Sequence, residues 1–110
     1  MYAPNLTNVN DMNSALKKPA IADLRRDIDA VDEKLVKLLA ERQRLVEAVI
    51  AVKQREGLPA RIPARVDYVI DRARVLARAH HLDPALAESI WTEMVEWFVA
   101  HEERNLELKK

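Results

Sequence analysis

Residues 20–56 read AIADLRRDIDAVDEKLVKLLAERQRLVEAVIAVKQRE, and how this stretch folds decides the architecture. Apolar side chains fall at Ile21, Leu24, Ile28, Val31, Leu35, Leu38, Leu45, Val49 and Val52. The steps are three and four, with one double step across Arg42, which is the seam of a heptad helix. No glycine or proline interrupts it, and strong helix formers fill the other positions. At 1.5 Å per residue the helix is about 55 Å long, well beyond ordinary globular length. Two shorter helices of the same chain cannot bury a seam of that length, so a second copy of the chain is expected to cover it.

Working outward, Gly57-Leu58-Pro59 stops the helix, because glycine takes a left-handed cap and proline cannot continue. Pro63 opens a second helix over residues 64–79, with Val66, Val69, Ile70, Ala73 and Ala77 facing inward. Asp83-Pro84 then reads as an N-cap followed by proline at the first helical position. The third helix runs from Pro84 to about Leu106, with Leu86, Ile90, Trp91, Met94, Val95, Trp97 and Phe98 as its inward stripe. The expected fold class is all-α, with one very long, one short and one medium helix. Residues 19–110 form the helical domain, and the polar, asparagine-rich residues 1–18 are expected to be a disordered leader.

Composition excludes several chemistries. The 110 residues contain no cysteine, so there is no disulfide framework, thiolate zinc site or cysteine nucleophile. Gly57 is the only glycine, which leaves no room for a phosphate loop or dinucleotide fingerprint. No N-terminal run is apolar enough for a signal peptide or membrane span, giving the expectation of a cytoplasmic protein without a membrane partner. Eighteen basic and eighteen acidic side chains cancel. The arginines at 61, 65, 72, 74 and 78 are balanced by acids and lack interleaved aromatics, so they read as a solvated face rather than a nucleic-acid surface.

The informative charges are those that break the apolar pattern. Arg42 stands in register with the seam between Leu38 and Leu45, and Lys53 follows three turns later on nearly the same face. A cation in an apolar stripe is costly unless it meets a counter-charge. The plain explanation is a structural ion pair, or a long side chain reaching out of the seam. Arg25 precedes Arg42 by about 25 Å of helical rise, too far to share a ligand within one helix. In an antiparallel pairing of two copies, Arg25 of one chain approaches the Arg42–Lys53 region of the other. Such cations, with Arg65 as a further candidate, make a pocket for carboxylates. On the third helix Glu102 continues the stripe of Val95 and Phe98, and points inward either as a counter-ion for one of those cations or at a fraying end. His101-Glu102-Glu103 lacks the second histidine of a zinc motif, and His80-His81 belongs to the turn before Asp83; no metal site is expected.

These residues resemble the all-helical (AroQ-class) chorismate mutase family. Ile21-Ala22-Asp23-Leu24-Arg25, Ile28-Asp29-Ala30-Val31-Asp32-Glu33-Lys34-Leu35, Leu38-Leu39-Ala40-Glu41-Arg42 and Lys53 are similar to its long first helix. Ala79-His80-His81-Leu82-Asp83 is similar to the turn before its last helix. The resemblance runs from Ile21 to about Leu106. It implies an intertwined homodimer with two sites, each completed by Arg25 of the partner chain, that rearranges chorismate to prephenate without cofactor or metal. By that pattern Arg25, Arg42 and Arg65 bind the carboxylates of a small dianionic substrate, and Lys53 meets the ether oxygen. The position of Glu102 is usually glutamine in the family. An ionised carboxylate there repels a developing oxyanion, so Glu102 is expected to work in its protonated, hydrogen-donating form.

Two departures from the family pattern keep a second enzyme in view. Ile62 and Val66 stand where mutases commonly hold carboxylates for the substrate's ring hydroxyl. The run Ile62-Pro63-Ala64-Arg65-Val66, together with Trp97, resembles the isochorismate-pyruvate lyase branch of the same fold, which yields salicylate and pyruvate. The Leu38–Arg42 and Ala79–Asp83 stretches favour the mutase. From another class, a non-catalytic antiparallel coiled-coil dimerisation module explains the seam but not the cations set within it.

Overall fold

A computed structural model describes residues 18–108, so the leader expected over 1–18 lies almost wholly outside the described residues. Helix α1 spans Ile21–Glu56, α2 spans Pro63–Ala79 and α3 spans Pro84–Leu108. Among the described residues there is no strand. The chain divides into two units after Gln43. Within the first, the seam residues Ile21, Leu24, Ile28, Val31, Leu35 and Leu38 are all exposed.

The second unit holds the end of α1 together with α2 and α3. Helix α1 terminates as the sequence dictates. Gly57 takes φ +69°, and the Leu58 amide donates to the Lys53 carbonyl at 2.9 Å, which together form a Schellman cap. Helix α2 ends in the same motif with an unexpected residue. His81 occupies the left-handed position at φ 60°, and the Leu82 amide reaches the Ala77 carbonyl at 2.8 Å. Asp83 caps α3 through Oδ1, which accepts from the Ala85 amide at 2.9 Å.

Helices α2 and α3 run in opposite directions and pack closely through Ala73, Ala77, Ala87, Val95 and Val99, where small side chains let the backbones approach. Two bridges brace this pair from outside. Arg61 Nη2 lies 2.5 Å from Glu96 Oε1, and Arg74 Nε donates to Glu88 Oε1 at 2.9 Å. The donated hydrogen bonds, aided by the guanidinium charges, hold the Glu96 and Glu88 carboxyls below their usual range.

The expected inward stripes need correction in two places. On α3, Leu86, Ile90 and Trp97 are exposed, while Ala87 and Val99 are buried. The buried stripe follows Ala87, Val95, Val99 and Glu102, so the bulkier residues lie on a neighbouring face. On α1 the buried apolar residue is Ile50, at 5% exposure, and not its neighbour Val49, at 45%. This end of α1 turns a different face to its own chain than the one carrying the seam.

Candidate active site

The C-terminal turns of α1 and of α3 bring two charged side chains into the interior of the second unit. Lys53 is 9% exposed and Glu102 8%, the charged residues among the buried positions. Lys53 Nζ donates to Glu102 Oε1 at 2.7 Å and to the Ala60 carbonyl at 2.8 Å. Each contact has a local cause. The Schellman cap turns the chain back after Gly57, which carries Ala60 over the last turn of α1. Glu102 faces inward because it continues the buried stripe of Val95 and Val99. A lysine ammonium carries three N–H donors. Two are used here, and their directions fix where the third points.

The remaining site candidates fall into two groups. Ile62 is the N-cap of α2 and, like Val66 one turn on, is half-buried, while Arg65 between them is exposed with its guanidinium 5.1 Å from the centre of the Tyr68 ring. These apolar residues and one arginine therefore belong to the helix that follows the Ala60 loop. Arg25 and Arg42 belong to the first unit; Arg25 is exposed and Arg42 half-buried. Of the residues singled out from sequence, Lys53 and Glu102 are brought into direct contact.

Sequence reasoning missed two features. The Ala60 carbonyl is backbone, and nothing in residue type marks it as an acceptor for lysine. Glu47 and His101 are joined at 2.7 Å between Oε2 and Nε2, although His101 was read only as a failed zinc motif. Among the described residues no group of three or more histidines or carboxylates is placed to hold a metal ion. No helix there is long and apolar enough to cross a membrane.

The chain is an all-helical protein with a lysine buried against a carboxyl group, Lys53 Nζ lying 2.7 Å from Glu102 Oε1. The sequence pattern of the family described as chorismate mutase type II matches residues 24–103. Over 87 residues the chain is 34% identical to a chorismate mutase of Methanocaldococcus jannaschii, covering 79% of this chain and 88% of the relative. It is 42% identical over 67 residues to a bifunctional chorismate mutase/prephenate dehydratase of Escherichia coli, which is 61% of this chain and 17% of that longer protein. It is also 29% identical over 83 residues to an isochorismate pyruvate lyase of Pseudomonas aeruginosa, covering 74% of this chain and 80% of the relative. The chain belongs to the chorismate mutase type II family.

Proposed function

We propose that this protein is a chorismate mutase, an isomerase that converts chorismate to prephenate in a homodimer. The observation that carries the reading is Lys53, a buried ammonium held by Ala60 and Glu102 with one N–H left to direct. In the rearrangement the ether C–O bond breaks as a C–C bond forms between the side chain and the ring, within one molecule. No proton, electron or group need be exchanged with the protein. The enzyme's task is to hold the dianion in its reactive conformer and to stabilise charge growing on the ether oxygen.

Lys53 supplies the second, in a dry setting where one charged hydrogen bond counts for more than in water. Arg42 and Arg65, with Arg25 from the partner chain, supply the first by gripping the two carboxylates. The exposed seam of α1 supports the pairing of two chains, since a contiguous apolar stripe of that length is an interaction surface. Glu102 acts beside Lys53 as a second hydrogen-bond donor to the ether oxygen.

A second activity, cleavage of isochorismate to salicylate and pyruvate, has one specific support. The half-buried Ile62 and Val66 offer the ring hydroxyl no partner, and one relative of similar length is an isochorismate pyruvate lyase. Arg42→Leu separates enzyme from scaffold. A dimerisation module tolerates leucine in its seam, so the variant should keep helicity and dimer mass in either case. Turnover of chorismate should fall by about 10³-fold or more if Arg42 grips substrate. Undiminished turnover of both chorismate and isochorismate overturns the reading.

A further inference from the structure

The Lys53–Glu102 contact is joined by two further polar ties between α1 and α3. Glu47 pairs with His101 at 2.7 Å, and Gln54 Nε2 donates to the Asn105 carbonyl at 3.2 Å. The close backbone packing in this unit is between α2 and α3. Long side chains therefore set how α3 is turned towards α1.

The ties fall on two flanks. On α1, Glu47 and Gln54 share a face to within about 20°, whereas Lys53 lies about 120° round from Glu47. Ile50, buried at 5% exposure, stands between those flanks. On α3, His101 and Asn105 are about 40° apart, and Glu102 is about 100° round from His101. The Lys53–Glu102 tie is on one side of Ile50, and the Glu47–His101 and Gln54–Asn105 ties are on the other. A helix held on one flank alone can roll about its axis; a helix held on both cannot.

The imidazole of His101 is itself fixed on several sides. Trp97 stacks on it with ring centroids 5.2 Å apart and planes 16° from parallel, and Phe98 meets it edge-on at 6.3 Å. Asn105 Nδ2 donates to the His101 carbonyl at 2.8 Å and approaches Nδ1 at 3.4 Å. A neutral ring with its hydrogen on Nε2 satisfies both contacts, donating to Glu47 and accepting from Asn105. Nothing in the proposed chemistry uses His101, yet it is held on several sides and precedes Glu102 directly in the chain.

We propose that His101, clamped by Glu47, is a positioning residue that fixes the roll of α3 and so aims Glu102 at the reacting ether oxygen. The proposal rests on the reading that Glu102 works at that oxygen. Loss of the clamp frees α3 to roll by a fraction of an ångström to an ångström at Glu102, displacing a hydrogen bond whose value is confined to the transition state.

The test compares His101→Leu, Glu47→Ala and His101→Gln in steady-state chorismate turnover, each in wild-type and Glu102→Ala backgrounds, with urea unfolding of every variant. His101→Leu and Glu47→Ala should each lower kcat about 10-fold with KM changed less than about twofold, since positioning acts on the transition state. His101→Gln, which can still present an N–H to Glu47, should recover most of the loss. In the Glu102→Ala background both losses should vanish, because the residue being aimed is gone. Unchanged kcat in Glu47→Ala and His101→Leu, or the same loss with Glu102 absent, overturns the positioning role. If Glu102→Ala alone leaves kcat intact, the reading of Glu102 itself fails, an outcome distinct from the other two.

Discussion

Replacing Lys53 by methionine keeps the length and apolar stem of the side chain and removes the ammonium. Two hydrogen bonds disappear, at 2.7 Å to Glu102 and 2.8 Å to the Ala60 carbonyl. Glu102 then remains 92% removed from solvent contact with no ammonium against it. Breaking a buried pair by deleting one partner costs about 3–5 kcal/mol. For a domain of this size each kcal/mol moves the thermal midpoint by about 4–8 °C, so a fall of at least about 12 °C is expected. The double variant Lys53→Met/Glu102→Leu removes both charges and leaves only the Ala60 carbonyl short of a donor. It should lie within about 1–2 kcal/mol of the wild type. Urea unfolding followed by far-ultraviolet circular dichroism measures all of these, at one fixed protomer concentration because dimerisation contributes to stability. A single variant that loses under about 1 kcal/mol, or a double variant as unstable as the two singles summed, refutes a tightly coupled buried pair.

Glu102→Gln replaces the carboxyl by a neutral amide of the same shape that presents an N–H donor. At about pH 7.5 kcat/KM should be retained or raised; a loss of about 100-fold with the fold intact contradicts the donor role. His81→Gly relieves a left-handed residue that bears a Cβ at φ 60° and should raise unfolding stability by up to about 1 kcal/mol, whereas a fall shows that the imidazole has a compensating contact. The hydrogen bonds and charges of Arg61 and Arg74 depress the Glu96 and Glu88 carboxyls below their ordinary value of 4.5. Their contribution is present above that value and is lost as pH falls through the lower folded values. Stability should therefore drop below about pH 4 by less in an Arg61→Gln/Arg74→Gln variant than in wild type, and an equal drop contradicts the assignment.

The seam of α1 was legible because a long helix with no breaker repeats its apolar residues faithfully, and its end was legible because Gly57 and Pro59 have few other uses. Asp83-Pro84 placed the start of α3 for the same reason: capping is local chemistry. The inward face of α3 was less readable. Seven apolar residues spread over about half its circumference, and the deciding contact was the close approach permitted by Ala73, Ala77 and Ala87, which bulk-weighted reading undervalues. The meeting of Lys53 and Glu102 was foreshadowed by their both standing where an apolar residue belonged. The Ala60 carbonyl was invisible because backbone acceptors leave no trace in residue type. His101 escaped notice because its partner, Glu47, lies 54 positions earlier on another helix.

The central claim is that this helical scaffold turns over chorismate, and the purified protein supplied separately with chorismate and isochorismate tests it most directly. Prephenate and salicylate are followed as independent products, with Lys53→Met run alongside. The expected result is prephenate from chorismate at a rate well above the uncatalysed one, abolished in Lys53→Met, with less or no salicylate from isochorismate. Salicylate as the main product assigns the site to the lyase reaction, and no turnover of either substrate contradicts the enzyme reading altogether.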